Sequence, residues 1–452
     1  LGSAGDYTGK GRDGAMTPDL KALQEKIEYD KTFDCVQCGY CLPACPTYKT
    51  MEKETHSPRG RINLVKMVAE GKASLEDLED PIEKCLGCMA CTTVCPTHVQ
   101  YGAIFEGAKE VLEKHKRKSG VQKVTEKFLF TSFFPSKRWM DTLGNATWFY
   151  QESGMQKIAQ TLKLTSIAPL NLDQFEHALP KMPSPVERRR RQTHVMPDNK
   201  KQMTVAFFRG CVMDSVFFET NRNSIELLRR AGAEVVTPLE QTCCGALHAH
   251  DGKRSKAKEL AKRNIEIFEN EDVDYIVNNA GGCGAKLVEY GHLLTDEPEW
   301  RERAEHFSAK VRDISEILAH LDNLTFTKPV RKTVTYQPSC HMTNVQRVTE
   351  PPRTLMAQIP ELNLAEMSKP DFCCGSAGIY NILNYDDAMD ILDVKMADVS
   401  DVEPEVIVTT NPGCLLQMKL GIEREGVGER MEAIHLADLL MEAEPIEKSD
   451  SQ

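Results

Sequence analysis

No apolar stretch in this 452-residue chain approaches the length needed to cross a bilayer, so any membrane role has to be peripheral or through a partner. The sequence shows no secretory signal either. Its sixteen cysteines therefore point to metal binding in a reducing cytoplasm and away from a disulfide framework. Basic residues are outnumbered, and a net charge of −11 gives no support to nucleic-acid binding. A dinucleotide fingerprint is missing: Gly281-Gly282-Cys283-Gly284 is not G-x-G-x-x-G and lacks a suitable following acid, so neither flavin nor nicotinamide is expected on this chain. No convincing acid/base dyad for work on an organic substrate is present, and no catalytic residue is assigned. The length asks for two or three domains. Residues 1–15 read as a vector-derived tag or linker ahead of a native Met16 and are set aside.

What is present is a pair of identical cysteine phrases. Cys35, Cys38, Cys41 and Cys45 precede Pro46, and Cys85, Cys88, Cys91 and Cys95 precede Pro96. Each reads C-x-x-C-x-x-C-x-x-x-C-P, the run that holds 4Fe–4S clusters in bacterial ferredoxins. In such runs the fourth cysteine usually serves the other cluster. One ligand set is therefore Cys35, Cys38, Cys41 and Cys95, and the other is Cys85, Cys88, Cys91 and Cys45. Structural zinc favours separated cysteine pairs, so it fits two full copies with both prolines poorly.

Residues 17–34 read as a polar amphipathic helix and 102–118 as another, with basic residues suited to its C-terminal end. The spacer of about forty residues between the phrases carries Leu64, Val65, Met67, Val68, Leu75 and Leu78 in a helical pattern. An all-α, helical ferredoxin-type domain with two clusters is thus expected over 16–119. From 120 to 200 the composition suggests helices and an exposed linker. There the run Arg188 to Arg191 reads as solvated, and the aromatics of 128–139 read as core packing in preference to a membrane or quinone contact.

The C-terminal half repeats itself. Cys211, the pair Cys243-Cys244 and Cys283 are matched by Cys340, the pair Cys373-Cys374 and Cys414. The intervals are 32 and 33 positions to the pair, then 39 and 40 from it. Short β-branched runs beside these cysteines alternate with amphipathic helical segments, which predicts two α/β domains over 201–325 and 326–445 with parallel sheets. The overall class is therefore mixed. Each copy offers four thiolates, and one or two further Fe–S clusters are expected there; buried cysteines lining a symmetric interface are the alternative.

These residues resemble the glycolate oxidase iron–sulfur subunit family over essentially the whole chain. The resemblance rests on the two ferredoxin phrases, Ser57-Pro58-Arg59-Gly60-Arg61-Ile62, Gly282-Cys283-Gly284-Ala285 with Glu289-Tyr290-Gly291, and Cys373-Cys374-Gly375-Ser376-Ala377-Gly378. The wider superfamily, which includes heterodisulfide reductase, pairs two CCG-type cysteine-rich domains. Where heterodisulfide reductases end each copy in C-x-x-C, this chain has Ala280 and Asn411, which argues against disulfide cleavage at a non-cubane centre. His341, after Cys340, is either a donor to the site or a surface residue. The resemblance implies separate FAD-binding subunits that oxidise a 2-hydroxy acid such as glycolate or lactate. This chain would relay their electrons toward quinone or another acceptor, in the cytoplasm or on the inner face of the membrane. On this view Arg59 and Arg61 lie near a cluster or the flavoprotein interface, with a salt bridge inside the helical domain as the alternative. A thiol-disulfide reductase subunit, the Fe–S subunit of a glycerol-3-phosphate dehydrogenase and a non-catalytic anchor are the competing functions.

Overall fold

The structure is a computed structural model and describes residues 18–116, 118–161, 176, 178–198 and 200–447. The tag expected at 1–15 and residues 162–175 of the linker lie outside the described residues. The chain divides into two compact units: Leu1–Thr125 with Leu247–Ala257 and Gly375–Ile391, and Glu126–Ala246 with Lys258–Cys374 and Leu392–Gln452.

Helices Pro18–Lys26, Pro58–Ala69, Leu75–Glu83 and Tyr101–His115 frame the first unit. They bury Leu23, Ile27, Val65, Leu78, Ile104 and Phe105 in one core. Their ends follow local chemistry. Ser57 caps Pro58–Ala69 by accepting from the Gly60 amide, with Pro58 at the first helical position where its missing N–H costs nothing. Ser74 and Asp77 form a reciprocal capping box. A Cβ at Gly60 would lie 1.9 Å from the Glu54 carbonyl oxygen, so the motif's glycine permits a close approach no other residue allows.

The helix expected at 17–34 is shorter. It ends at Lys26, Glu28 turns left-handed at φ 55°, and Tyr29–Asp34 continues as a tighter 3-10 turn. Tertiary anchoring overrides the helical pattern here. Ile27 is fully buried, and the reversal lets the Tyr29 hydroxyl donate to Glu70 Oε1 at 3.0 Å as the chain enters the first cysteine phrase.

The second unit carries two parallel sheets. In the first, Met203–Phe207 lies between Ala233–Val236 and Tyr275–Asn278, with Val311–Asp313 beyond and His194–Val195 added antiparallel at the edge. In the second, Thr333–Gln337 lies between Asn363–Leu364 and Val406–Thr409, with Glu432–His435 beyond. Counted within each copy, the four parallel strands run second-first-third-fourth. The order reverses at the first strand, which is where ligand crevices open at the carboxyl ends of such sheets. Helices Phe218–Arg230, Ile314–Leu321, Glu350–Ala357 and Leu436–Glu442 contribute to one core with both sheets, including Val205, Val277, Val334, Tyr336 and Val406.

Candidate metal centres

Both ferredoxin phrases share a backbone device. Gln37 (φ 58°) and Gly39 (φ 87°) in the first are matched by Gly87 (φ 62°) and Met89 (φ 57°) in the second. Alternating handedness turns successive N–H groups to the concave side of the loop, a nest that favours anions. Accordingly the Gly87 amide donates to Cys85 Sγ at 3.5 Å; at Cys35 the Gln37 side chain adds a bond from its Nε2 to the sulfur at 3.4 Å.

Cys35, Cys38, Cys41 and Cys95 line one cavity, bordered also by Cys91 and Arg59. Burial pushes the Cys35 thiol up against the pull of the Gln37 backbone, with Cys95 and Cys38 as its neighbouring thiols. For Cys91, burial and then Cys88, Cys85 and Cys45 all push the thiol well above its usual value. The thiols of the two phrases form overlapping electrostatic neighbourhoods, since Cys41 also acts on Cys91 and Cys45 on Cys41. Thiols that oppose one another's ionisation in this way deprotonate together only when positive charge enters among them, as iron would supply.

The two arginines differ. Arg59 is partly exposed, pairs both carboxylate oxygens of Glu54 and donates to the Gln37 carbonyl. Arg61 is 1% exposed. It donates to the Pro81 carbonyl at 2.6 Å, to Thr47 Oγ1 at 3.0 Å and to Cys45 Sγ at 3.9 Å. Burial would lower its pKa, yet Cys85, Tyr101 and Cys45 hold it above the usual arginine value. Among the described residues it has no carboxylate partner. A buried guanidinium between Cys45 and Cys85 without a carboxylate fits an anionic, thiolate-ligated group.

In the first CCG copy, Cys211 and Cys283 follow the ends of adjacent parallel strands, and the pair lies with them. Cys211 Sγ is 3.7 Å from Cys243 Sγ. Hydrogen bonding to Cys211 and Cys244 raises the Cys243 thiol well above its usual value, and hydrogen bonding to Cys244 does the same for Cys283. All four thiols therefore meet. The Gly245 amide donates to Cys243 Sγ at 3.5 Å. Tyr290, from the Glu289-Tyr290-Gly291 motif, donates to the Cys244 carbonyl at 2.9 Å while accepting from Asn264.

The second copy has a different arrangement. Cys340 lies within hydrogen-bonding reach of Cys373, and His341 Nδ1 is 3.9 Å from Cys340 Sγ, so His341 faces the thiols. Asn411, at the position where a C-x-x-C cysteine is absent, donates to Cys414 Sγ at 3.5 Å. Its Oδ1 accepts from the Gly282 amide of the other copy at 3.0 Å. Ala280, its counterpart, is buried. Among the described residues no group of three His, Cys, Asp or Glu is disposed to hold a single metal ion.

With this geometry in place, the comparisons with known proteins are specific. Residues 31–99 match the 4Fe-4S dicluster domain, 121–179 match the linker region of the glycolate oxidase iron-sulfur subunit, and 205–288 and 334–419 each match the cysteine-rich CCG domain. Over 433 residues the chain is 45% identical to the probable glycolate oxidase iron-sulfur subunit of Bacillus subtilis (strain 168), spanning 94% of this chain and 98% of that protein. The chain belongs to the glycolate oxidase iron–sulfur subunit family. The Escherichia coli (strain K12) glycolate oxidase iron-sulfur subunit is 26% identical over 407 residues, 88% of this chain and 93% of that one. Lactate utilization protein A of Oceanobacillus iheyensis is 31% identical over 239 residues, 53% of this chain and 96% of that one. A hypothetical protein from Helicobacter pylori has a similar fold, with TM-score 0.52 at 10% identity over 96% of this chain and 74% of its own.

This family member also places residues that its motifs did not flag. Thr47 and Thr97 follow Cys45-Pro46 and Cys95-Pro96, with hydroxyls 3.3 and 3.4 Å from the fourth cysteine's sulfur. A C-P-T reading of the phrases would have found them. Lys395 is fully buried near Cys374 and Cys373, with burial lowering its pKa, and it donates to the Lys369 and Pro370 carbonyls. In the other copy the matching helix carries neutral Asn264. The arginine run is a correction. Arg189 and Arg190 are exposed, but Arg188 is buried on Asp141 at 3.3 Å, and Arg191 bridges Asp141 and Asp214 at 2.5 and 3.0 Å. Of the neighbouring aromatics, Phe130 is buried whereas Phe128 and Trp139 are 41% and 45% exposed, in edge contact at 5.3 Å.

Proposed function

We propose that this chain is the electron-relay subunit of a flavin-dependent dehydrogenase acting on a glycolate- or lactate-type 2-hydroxy acid. The flavin lies on a partner subunit and the metal centres on this one. The buried Arg61 beside Cys45 and Cys85, with no carboxylate partner among the described residues, is the observation that carries it, because an anionic thiolate-bound group supplies the counter-charge it needs. The first unit, whose described elements are helices, is read as a helical ferredoxin-type domain with crossed ligand sets Cys35, Cys38, Cys41, Cys95 and Cys85, Cys88, Cys91, Cys45. The quartet Cys211, Cys243, Cys244 and Cys283 is read as a further site, and Cys340, Cys373, Cys374 and Cys414 as its more altered copy.

Bound 4Fe–4S clusters take up and release single electrons. The chain's own residues set how readily that happens. Arg61 and the nest amides stabilise negative charge, Tyr101 and the two threonines reach cysteine sulfurs, and the apolar core around Ile62 and Phe105 excludes water. The acceptor and the membrane are reached through other proteins or surfaces, since among the described residues no helix is long and apolar enough to cross a bilayer. The test is anaerobic mixing with the flavoprotein subunit and substrate. Substrate should bleach the visible absorbance of this chain and generate reduced Fe–S EPR signals. A reduced flavin beside an unchanged iron–sulfur spectrum would reject the relay.

A further inference from the structure

We propose that residues 134–141 with Arg188 and Arg191 form the charge-balancing half of the first CCG site: they leave Lys137 as a surplus cation, with Arg209 sharing Asp214, beside Cys211 and Cys243, and so raise the reduction potential of the cluster those thiols carry. The inference rests on the cluster reading of that site given above.

A cleft is lined by Phe134, Lys137, Asp141 and Arg209 together with Cys211 and Cys243. It opens at the carboxyl end of Met203–Phe207, where the strand order reverses. Four cations gather around it against two carboxylates. Arg191 joins Asp141 to Asp214, Arg188 reaches Asp141, and Arg209 lies 3.6 Å from Asp214. Lys137 has no hydrogen bond or ion pair among the described residues, and burial followed by the charge of Arg191 pushes its ammonium below the usual range. Arg209 is 4% exposed and its Nε has no hydrogen-bond partner.

Buried surplus charge of one sign is costly unless an opposite charge completes the site. The groups in the same cleft that become anionic are the thiols, once they hold iron. Reduction adds a further negative charge to such a centre, so nearby cations favour the reduced state. The linker is shaped for this. A Cβ at Gly144, on helix Lys137–Glu152, would collide with the Arg188 guanidinium, so the bare glycine is what admits the buried arginine.

The experiment is an EPR-monitored redox titration of the whole, anaerobically purified chain, following the signal that Cys244→Ser removes. Lys137→Met should lower that signal's midpoint enough to change the oxidised-to-reduced ratio at fixed potential between about threefold and tenfold, tenfold being 59 mV for one electron. Lys137→Arg should restore it, and the ferredoxin signals should stay in place as the folding control. An unmoved midpoint in Lys137→Met overturns the proposal while leaving the cluster reading intact. So does inorganic phosphate that shifts the wild-type midpoint but not the variant's, because the cleft would then serve a diffusible anion. A wild-type chain with no signal sensitive to Cys244→Ser defeats the cluster reading itself, and this proposal with it.

Discussion

Replacing Arg61 by Met should have opposite consequences in the metal-loaded and metal-free proteins. In the loaded protein Cys45 is a thiolate, and the guanidinium lies 3.9 Å from its sulfur. One unit charge at that distance, with an effective dielectric of about 20, is worth about 4 kcal/mol. That lies within the roughly 3–5 kcal/mol range for breaking a buried pair by removing one partner. The Pro81 carbonyl and Thr47 hydroxyl lose their donor as well, which adds to the cost. At about 1.4 kcal/mol per decade, the cluster proposed at Cys45, Cys85, Cys88 and Cys91 should be held roughly a thousandfold less tightly. With protonated thiols the arginine is instead an unpaired buried cation, and a Met of similar length relieves it. Metal-free Arg61→Met should therefore lose little stability or gain some. Cluster release into a chelator, followed by visible absorbance, reads the first effect; guanidinium melts of metal-free protein read the second. A loaded variant that keeps its iron like wild type, with a metal-free form that is the more damaged, would refute the reasoning. Arg61→Lys should fall between, because a point charge cannot serve three divergent acceptors.

Gly60→Ala should cost about 3 kcal/mol or more, since its methyl has no space beside the Glu54 backbone; a near-wild-type denaturation midpoint would be inconsistent with that packing. Asp313 caps helix Ile314–Leu321 from a fully buried position, and burial pushes its carboxyl up to about 7. The folded protein thus binds this proton more tightly than the unfolded one, so its contribution to stability is present below about pH 4 and is lost as pH rises toward 7. Asp313→Asn, which keeps the capping oxygen, should flatten that part of the stability profile; identical wild-type and variant slopes would contradict it. Tyr290→Phe removes the hydroxyl that joins the Cys244 carbonyl to Asn264 and should cost about 1–2 kcal/mol, with faster iron loss from the first CCG site only.

The sequence made the cysteines legible because each phrase is local, and because the two CCG copies repeat their intervals almost residue for residue. The same repeat anticipated strands ending shortly before Cys211, Cys283, Cys340 and Cys414. What it could not convey were charges paired over long separations. Arg188 to Arg191 looked like a solvated run because their partners, Asp141 and Asp214, are 47 and 23 positions or more away along the chain. Lys395 looked like an ordinary helix residue, and its burial follows only from the packing of its helix on Lys369 and Pro370. The break at Glu28 escaped periodicity for the same reason, being set by what Tyr29 must reach. Asn411 was visible as a missing cysteine, but its bond to Gly282 depends on how the two copies pair.

Metal bound by the CCG cysteines is tested most directly by iron and acid-labile sulfide per chain on anaerobically purified wild type, Cys244→Ser and Cys374→Ser. More than two clusters' worth in wild type, with one cluster lost in Cys244→Ser, is the predicted result. Two clusters' worth in all three would leave the CCG cysteines without metal and contradict the reading of their quartets as further metal sites.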